Sequence, residues 1–378
     1  MKNWLQTWGG LFLLTALMLN QAFGQDTEVV FWGYTDKAVG QTHVVKNLRQ
    51  FEDRFGQPGL PGQGYFLRHS LEFFWQNGGQ AAKVISLGPI KSGAPAFGSQ
   101  EVLQAIQKLP AAQTAQIWVL PDLVSLPSRV FYQLLPSILN QAENKRAFVL
   151  FDVPMRSGSL AWSAVKAFKQ QLQGGTLVNG MANWPYLQNA QGHLIPASGA
   201  IAGTMVRLDG QQGVWKAPAG LELRGVHGLP IALSQPEVES LMNMPGPAVN
   251  PLRLIPVRGY CLWGSRTLAG NDNEWRYVPV RRLGLEIERV IHQTLEAHSG
   301  DLLQPSAWTS LKSQISAHLQ NLYRAGAFPA ATAKEAYFVR VGLGETMTQA
   351  DIDAGRLKVV VGFAPLQPAE FVMVKVEP

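Results

Sequence analysis

Two hydrophobic periods alternate along the first 155 residues. "TEVVFWGY" (27–34) is a nearly unbroken apolar run that reads as a strand. In "THVVKNLRQFEDRFG" (42–56), Val45, Leu48, Phe51 and Phe55 recur at helical spacing, so a helix ended by Gly56 is expected. "GYFLRHSLEFFWQNGG" (64–79) repeats that pattern with Leu67, Leu71, Phe74 and Trp75, closed by Gly78-Gly79. "AKVISLG" (82–88) is a short β-branched strand. Helix "EVLQAIQKL" then precedes strand "AQIWVLPD", and helix "VFYQLLPSILNQAE" precedes strand "RAFVLFDVP". Continuous apolar runs of this kind suit strands covered on both faces, so an α/β fold with a parallel sheet is expected.

Residues 156–250 are rich in Gly and Pro, with short strand patterns, and their periodicity decides little. From about 251 an α+β pattern resumes. Strand "GYCLWGSR", polar loop "TLAGNDNEW" and strand "RYVPVRRL" precede a long helix through "GLEIERVIHQTLEAH". A further helix is expected from an N-cap at Ser306 to Gly326. Strand "EAYFVRVG", a helix start at "TQADIDAGR" and strands "LKVVVGFAP" and "EFVMVKV" complete the chain.

The segment "GGLFLLTALMLNQAFGQ" (9–25) fits neither period. Leu11–Leu19 is apolar except for Thr15, and Lys2 precedes it. Nine helical residues cover roughly 14 Å, about half the hydrocarbon core of a bilayer. The run fits the apolar core of a signal peptide, and Ala22 and Gly24 suit cleavage before Gln25. Residues 1–24 are therefore expected to be a signal peptide, which implies export to the periplasm or beyond. No other segment approaches the ~18 apolar residues of a transmembrane helix.

The length of 378 residues suits about two domains. Charged residues make up 15% against 46% hydrophobic ones, low beside a typical ~25%. Extensive subunit contact produces such a surface, and a large core accounts for part of it. The net charge of +6 is spread along the chain, and no basic block marks a nucleic-acid or membrane patch. The single cysteine, Cys261, excludes an intrachain disulfide, and its apolar neighbours read as core.

Few residues offer chemistry. Asp122 and Asp152 follow strand ends, where open α/β enzymes place catalytic groups, but such aspartates more often accept hydrogen bonds from loop N–H groups. "PASGAIAG" (196–203) holds Ser198 without the G-x-S-x-G frame of a nucleophile elbow. "GNDNEW" (270–275) lacks Ca²⁺-loop spacing and reads as a polar turn. "GLGET" (342–346) lacks a phosphate-loop lysine, and the seven histidines form no ligand pair. No catalytic, cofactor-binding or metal-binding residue is assigned.

Several segments, in order, resemble a known family: "FWGYTDKA" (31–38), "HSLEFFWQNGG" (69–79), "PASGAIAG", "GVWKAPAG" (213–220), "NPLRLIPVRGYCLWGSRTLAGNDNEWRYVPVRRL" (250–283), "YFVRVGLGETMTQADIDAGRL" (337–357) and "VGFAPLQPAEFVMVKV" (361–376). Over roughly 28–378 the chain resembles tail sheath proteins of contractile phage tails and tail-like injection particles. The resemblance implies a tail-sheath-like fold: an N-terminal and middle α/β region (25–250) and a C-terminal α+β sheath domain (251–378) ending in an exchangeable strand. It implies a structural subunit, not an enzyme, that stacks in hexameric rings around an inner tube and contracts to drive the tube through an envelope. The implied partners are further copies of the chain, the tube protein, and baseplate and terminator proteins. No cofactor, nucleic acid or stable membrane span is implied. Phe371, Val372, Met373, Val374, Lys375 and Val376 would form the exchanged strand. The helix at 306–325 resembles a tube-facing helix, with Lys312 and Arg324 as candidate tube contacts, and Trp215 and Trp275 resemble fold anchors.

Family members carry an N-terminal arm where this chain has its apolar run. If cleavage follows Gly24, the eight residues 25–32 reach only about 26 Å. Three expectations follow: a contracting sheath subunit, cytoplasmic in an assembled particle if the signal is not used; an exported, sheath-derived surface or periplasmic protein that no longer contracts; and, far behind, a hydrolase using Asp122 and Asp152.

Overall fold

The computed structural model describes residues 27–89, 99–155, 162–298, 302–366 and 372–376. The expected signal peptide (1–24) and Phe371 lie outside the described residues. The described chain forms two compact units. One comprises Thr27–Leu208 and Lys216–Arg281; the other comprises Asp209–Trp215 and the chain from Arg282 onward.

The larger unit is built on one eight-stranded sheet. Its strands are β1 (Glu28–Gly33), β2 (Thr42–Val45), β3 (Ala82–Ser86), β4 (Gln116–Val119), β5 (Phe148–Asp152), β6 (Gly180–Trp184), β9 (Val249–Ile255) and β10 (Gly259–Leu262); β7 (Leu187–Gln188) and β8 (Leu194–Ile195) form a separate small hairpin. The order is β10-β9-β6-β5-β4-β1-β3-β2, parallel from β9 to β3 with an antiparallel strand at each edge. β4 and β5 are buried at every position, as their unbroken apolar runs require. Trp32 and Trp118 meet edge to face at 5.2 Å in the core, and Phe31 meets Phe74 at 5.4 Å.

The helices are α1 (Leu48–Phe55), α2 (Leu67–Gln76), α3 (Ser99–Gln107), α4 (Ser128–Lys145), α5 (Trp162–Gln171), α6 (Ser198–Gln212), α7 (Gln235–Asn243), α8 (Val278–Glu296), α9 (Pro305–Arg324), α10 (Ala333–Ala336) and α11 (Gln349–Asp353).

Four segments differ from expectation. Thr42–Val45 is an edge strand, and α1 starts only after Asn47, whose side chain accepts from the Gln50 N–H at 2.9 Å. "RYVPVRRL" enters a helix, because Pro279 at its second position needs no N–H partner there. α9 is capped at Gln304 with Pro305 first, so Ser306 lies inside it. β9 and β10 belong to the large sheet, which therefore continues past residue 250. In the uninformative 156–250 stretch, α6 is the main element that periodicity misses.

In the smaller unit, α9 buries Leu311, Ile315, Leu319 and Leu322, spaced three and four apart. Arg282 reaches Asp209 through two hydrogen bonds of 2.8 and 2.5 Å, and both side chains are buried. The unit also carries a three-stranded antiparallel sheet, β11 (Tyr337–Arg340), β12 (Val359–Phe363) and β13 (Val372–Val376), in the order β11-β12-β13.

Candidate assembly surface

The C-terminal strand is the first candidate. β13 pairs antiparallel with β12 of its own chain, with Val374 opposite Val361 and Val376 opposite Val359. Val374 and Val376 are buried while Lys375 is exposed, so a single apolar face sets the register. A one-residue slip would bury Lys375. Among the described residues, β13 is paired on one side only and forms the edge of its sheet. On the outward face, a recess of about 300 Å³ gathers Arg340, Lys358 and Lys375 with Glu345. The Arg340 guanidinium lies 4.7 Å from the Phe338 ring.

Beside the recess, Asp351 caps α11: it accepts from the Thr348 N–H at 3.0 Å and hydroxyl at 2.8 Å. Lys358 and Arg356 approach the same carboxylate at 3.1 and 3.0 Å. The Thr348 hydrogen bonds, with those cations, hold the Asp351 carboxyl well below the usual carboxylate range.

Lys312 and Arg324 both lie on α9, but not on one face. Twelve residues at ~100° each leave them about 120° apart and about 18 Å along the axis. Lys312 Nζ is 3.2 Å from both carboxylate oxygens of Glu345, and Arg324 is exposed at the helix end.

The two strand-end aspartates act as staples. Asp122 accepts from the N–H groups of Tyr34 at 2.6 Å, Phe66 at 2.6 Å and Leu67 at 3.0 Å, which ties β1 to the start of α2. Asp152 accepts from Ala197 N–H at 2.8 Å and Ser198 N–H at 3.1 Å at the start of α6. Burial pushes both carboxyls up to about 7 against the lowering effect of these donors. Both are almost wholly enclosed, and their oxygens are committed to backbone donors, so neither is placed to meet a substrate.

No family model matches the chain. It is 28% identical over 203 residues to a protein of Pseudomonas aeruginosa (strain UCBPP-PA14) provisionally named a prophage major tail sheath protein, covering 53% of this chain and 50% of that one. It is 26% identical over 141 residues to the tail sheath protein of Vibrio phage KVP40, covering 36% of this chain and 21% of that one. The chain thus spans half the length, or less, of these curated relatives. A chain in the contracted-state baseplate of the anti-feeding prophage matches with a TM-score of 0.74 and 29% identity, over 93% of this chain and 94% of that one. A chain in the contracted helical sheath of the same particle matches with a TM-score of 0.69 and 26% identity, over 93% of both. The chain is thus similar, in sequence and in fold, to contractile tail sheath proteins.

The fold accounts for residues that looked like candidate chemistry. "PASGAIAG" is where α6 meets α2: a Cβ on Gly199 would fall 2.2 Å from the Ser70 carbonyl oxygen, and one on Gly203 2.2 Å from that of Phe74. "GNDNEW" is a turn in which Asp272 accepts from the Glu274 N–H at 2.8 Å and the Trp275 N–H at 2.6 Å. Trp275 carries the Arg281 guanidinium 4.9 Å from its ring, and Trp215 is buried. Cys261 is buried, and that burial pushes its thiol up. Among the described residues no His/Cys/Asp/Glu group could hold a metal ion, and no helix is long and apolar enough to cross a membrane. Sequence reasoning missed Asp122 and Asp152 as long-range staples, because their partners lie between 45 and 88 residues away.

Proposed function

We propose that the chain is a structural subunit of a contractile sheath: it polymerises as stacked hexameric rings around an inner tube and drives that tube through a target envelope on contraction. The observation that carries this reading is end-to-end similarity, over 93% of both chains, to a chain of a contracted helical sheath. A subunit of this kind works through packing free energy and needs no catalytic centre. Baseplate and terminator proteins are the partners at the two ends of the polymer, and the tube protein is the partner inside it.

The strand from Phe371 to Val376 supplies the interlock. One chain's strand joins the sheet of the next, and backbone hydrogen bonds keep the link while subunit bodies move. The apolar face of Val374 and Val376 and the place of β13 at the edge of its sheet among the described residues suit this exchange. Arg324, exposed at the end of α9, is the stronger tube contact of the two candidates, since Lys312 must first leave Glu345. Electron microscopy of the purified chain, intact and lacking 371–378, tests the reading. Tubular or stacked-ring polymers are expected for the intact chain and not for the truncated one. Identical behaviour of the two chains would remove the strand from the account.

The apolar run Leu11–Leu19 favours a second reading, an exported sheath-derived protein that no longer contracts. Cell fractionation with N-terminal sequencing separates the two. A mature start at Gln25 outside the cytoplasm supports export, and an intact start within cytoplasmic particles rules it out.

A further inference from the structure

The outer face of the three-stranded sheet concentrates positive charge. Arg340 on β11 stands opposite Val360 on β12, and Val360 stands opposite Lys375 on β13, so the three form one cross-strand row. The adjacent Val339, Val361 and Val374 are buried on the other face, which turns this row outward. Lys358, two residues before Val360, lines the same recess of about 300 Å³.

The nearby carboxylates do not neutralise the row. Glu345 meets Lys312 at 3.2 Å through both of its oxygens. Asp351 is shared between Arg356 at 3.0 Å and Lys358 at 3.1 Å. Among the described residues, neither Arg340 nor Lys375 has a carboxylate partner. The Phe338 ring, 4.7 Å from Arg340, orients the guanidinium and leaves its charge in place. Five cations therefore surround two carboxylates. The backbones of β11 and β13 are two strand spacings, about 10 Å, apart. Like charges on neighbouring strands of one face oppose their pairing. An anion held between them turns that repulsion into a bridge.

We propose that this recess binds a small phosphate anion of the diphosphate class, and that the bound anion fastens β13 to its sheet. A carboxylate brings one negative charge. A phosphate group brings about two, with three acceptor oxygens that suit the planar fork of an arginine. Two linked phosphates match a recess with three uncompensated cations. Lys375 is supplied by β13, and Arg340 and Lys358 by the chain beside it, so the ligand spans the strand and its neighbours. The site is complete within one chain and does not rest on the sheath reading.

Isothermal titration calorimetry of the full-length chain with inorganic pyrophosphate, at an ionic strength matched with potassium chloride, tests the inference. Saturable binding is expected. Arg340→Gln and Lys375→Gln, both at exposed positions, are each expected to weaken it by about tenfold or more. Lys108→Gln, exposed on the larger unit, is expected to bind like wild type. Thermal melts establish that each variant folds. Adenosine diphosphate separates the two sources of the ligand: equal affinity supports a site that also takes a nucleotide, and failure to bind beside tight pyrophosphate supports one for the free anion. Hydrogen exchange reads the strand: pyrophosphate is expected to slow the amides of 372–376 in wild type and not in Arg340→Gln. Absence of saturable pyrophosphate binding, or an equal loss in Lys108→Gln, overturns the inference. Binding that leaves exchange at 372–376 unchanged overturns the fastening of β13. A poly-glutamate peptide that binds as tightly as pyrophosphate overturns the phosphate assignment in favour of an acidic protein surface. Each outcome is read without polymers, so the sheath reading stands or falls separately.

Discussion

Asp122 lies just past β4 and Asp152 ends β5, its parallel neighbour, yet the two differ in what a substitution does. Asp122 uses both carboxylate oxygens, one toward Tyr34 and one toward Phe66 and Leu67. Asparagine keeps only one acceptor, so Asp122→Asn leaves a buried N–H facing an amide N–H and is expected to destabilise by about 1–3 kcal/mol. Asp152 engages its two close donors through Oδ1, which asparagine can reproduce, so Asp152→Asn is expected to lose less in denaturant unfolding. Both carboxyls titrate near 7 when folded, raised above their ordinary value of 3.8. The folded chain thus keeps protons that the unfolded chain releases near pH 4. That contribution is fully present below pH 4 and is lost as pH rises toward 7. A wild-type melting temperature that falls between pH 4 and 7 relative to Asp152→Asn is the expected result. Val257 provides an opposite case: Val257→Gly relieves the left-handed strain and is expected to raise stability by about 1 kcal/mol. Thermal melts of the single-chain form check this.

The elements divide by how local their causes are. Strands at 116–119 and 148–152 are legible because burial on both faces writes an unbroken apolar run into the sequence. Helix α2 is legible because Leu67, Leu71 and Phe74 keep one face. α6 is not, because Gly199 and Gly203 read as loop residues. Their cause is the α2 backbone, which comes too near for any Cβ. Gly203→Ala places a methyl 2.2 Å from the Phe74 carbonyl and is expected to destabilise the chain by about 1–3 kcal/mol, measured by urea unfolding. The start of α8 is hidden for a different reason: Val278, Pro279 and Val280 carry strand preferences, but a first helical turn tolerates proline. β13 is legible as a strand from its valine alternation. The partner it pairs with in an assembly is a property of more than one chain, and no pattern within a single sequence encodes it.

At the scale of the whole molecule, low charge and scattered apolar exposure fit a subunit whose surface is completed by its neighbours. We propose above that chains interlock into a sheath. Cryo-electron microscopy of the purified intact chain tests this most directly. The expected image is a helical or stacked-ring polymer with residues 372–376 hydrogen-bonded into a neighbouring chain's sheet. Single chains at every concentration and salt condition, with that strand paired only to its own β12, would contradict it.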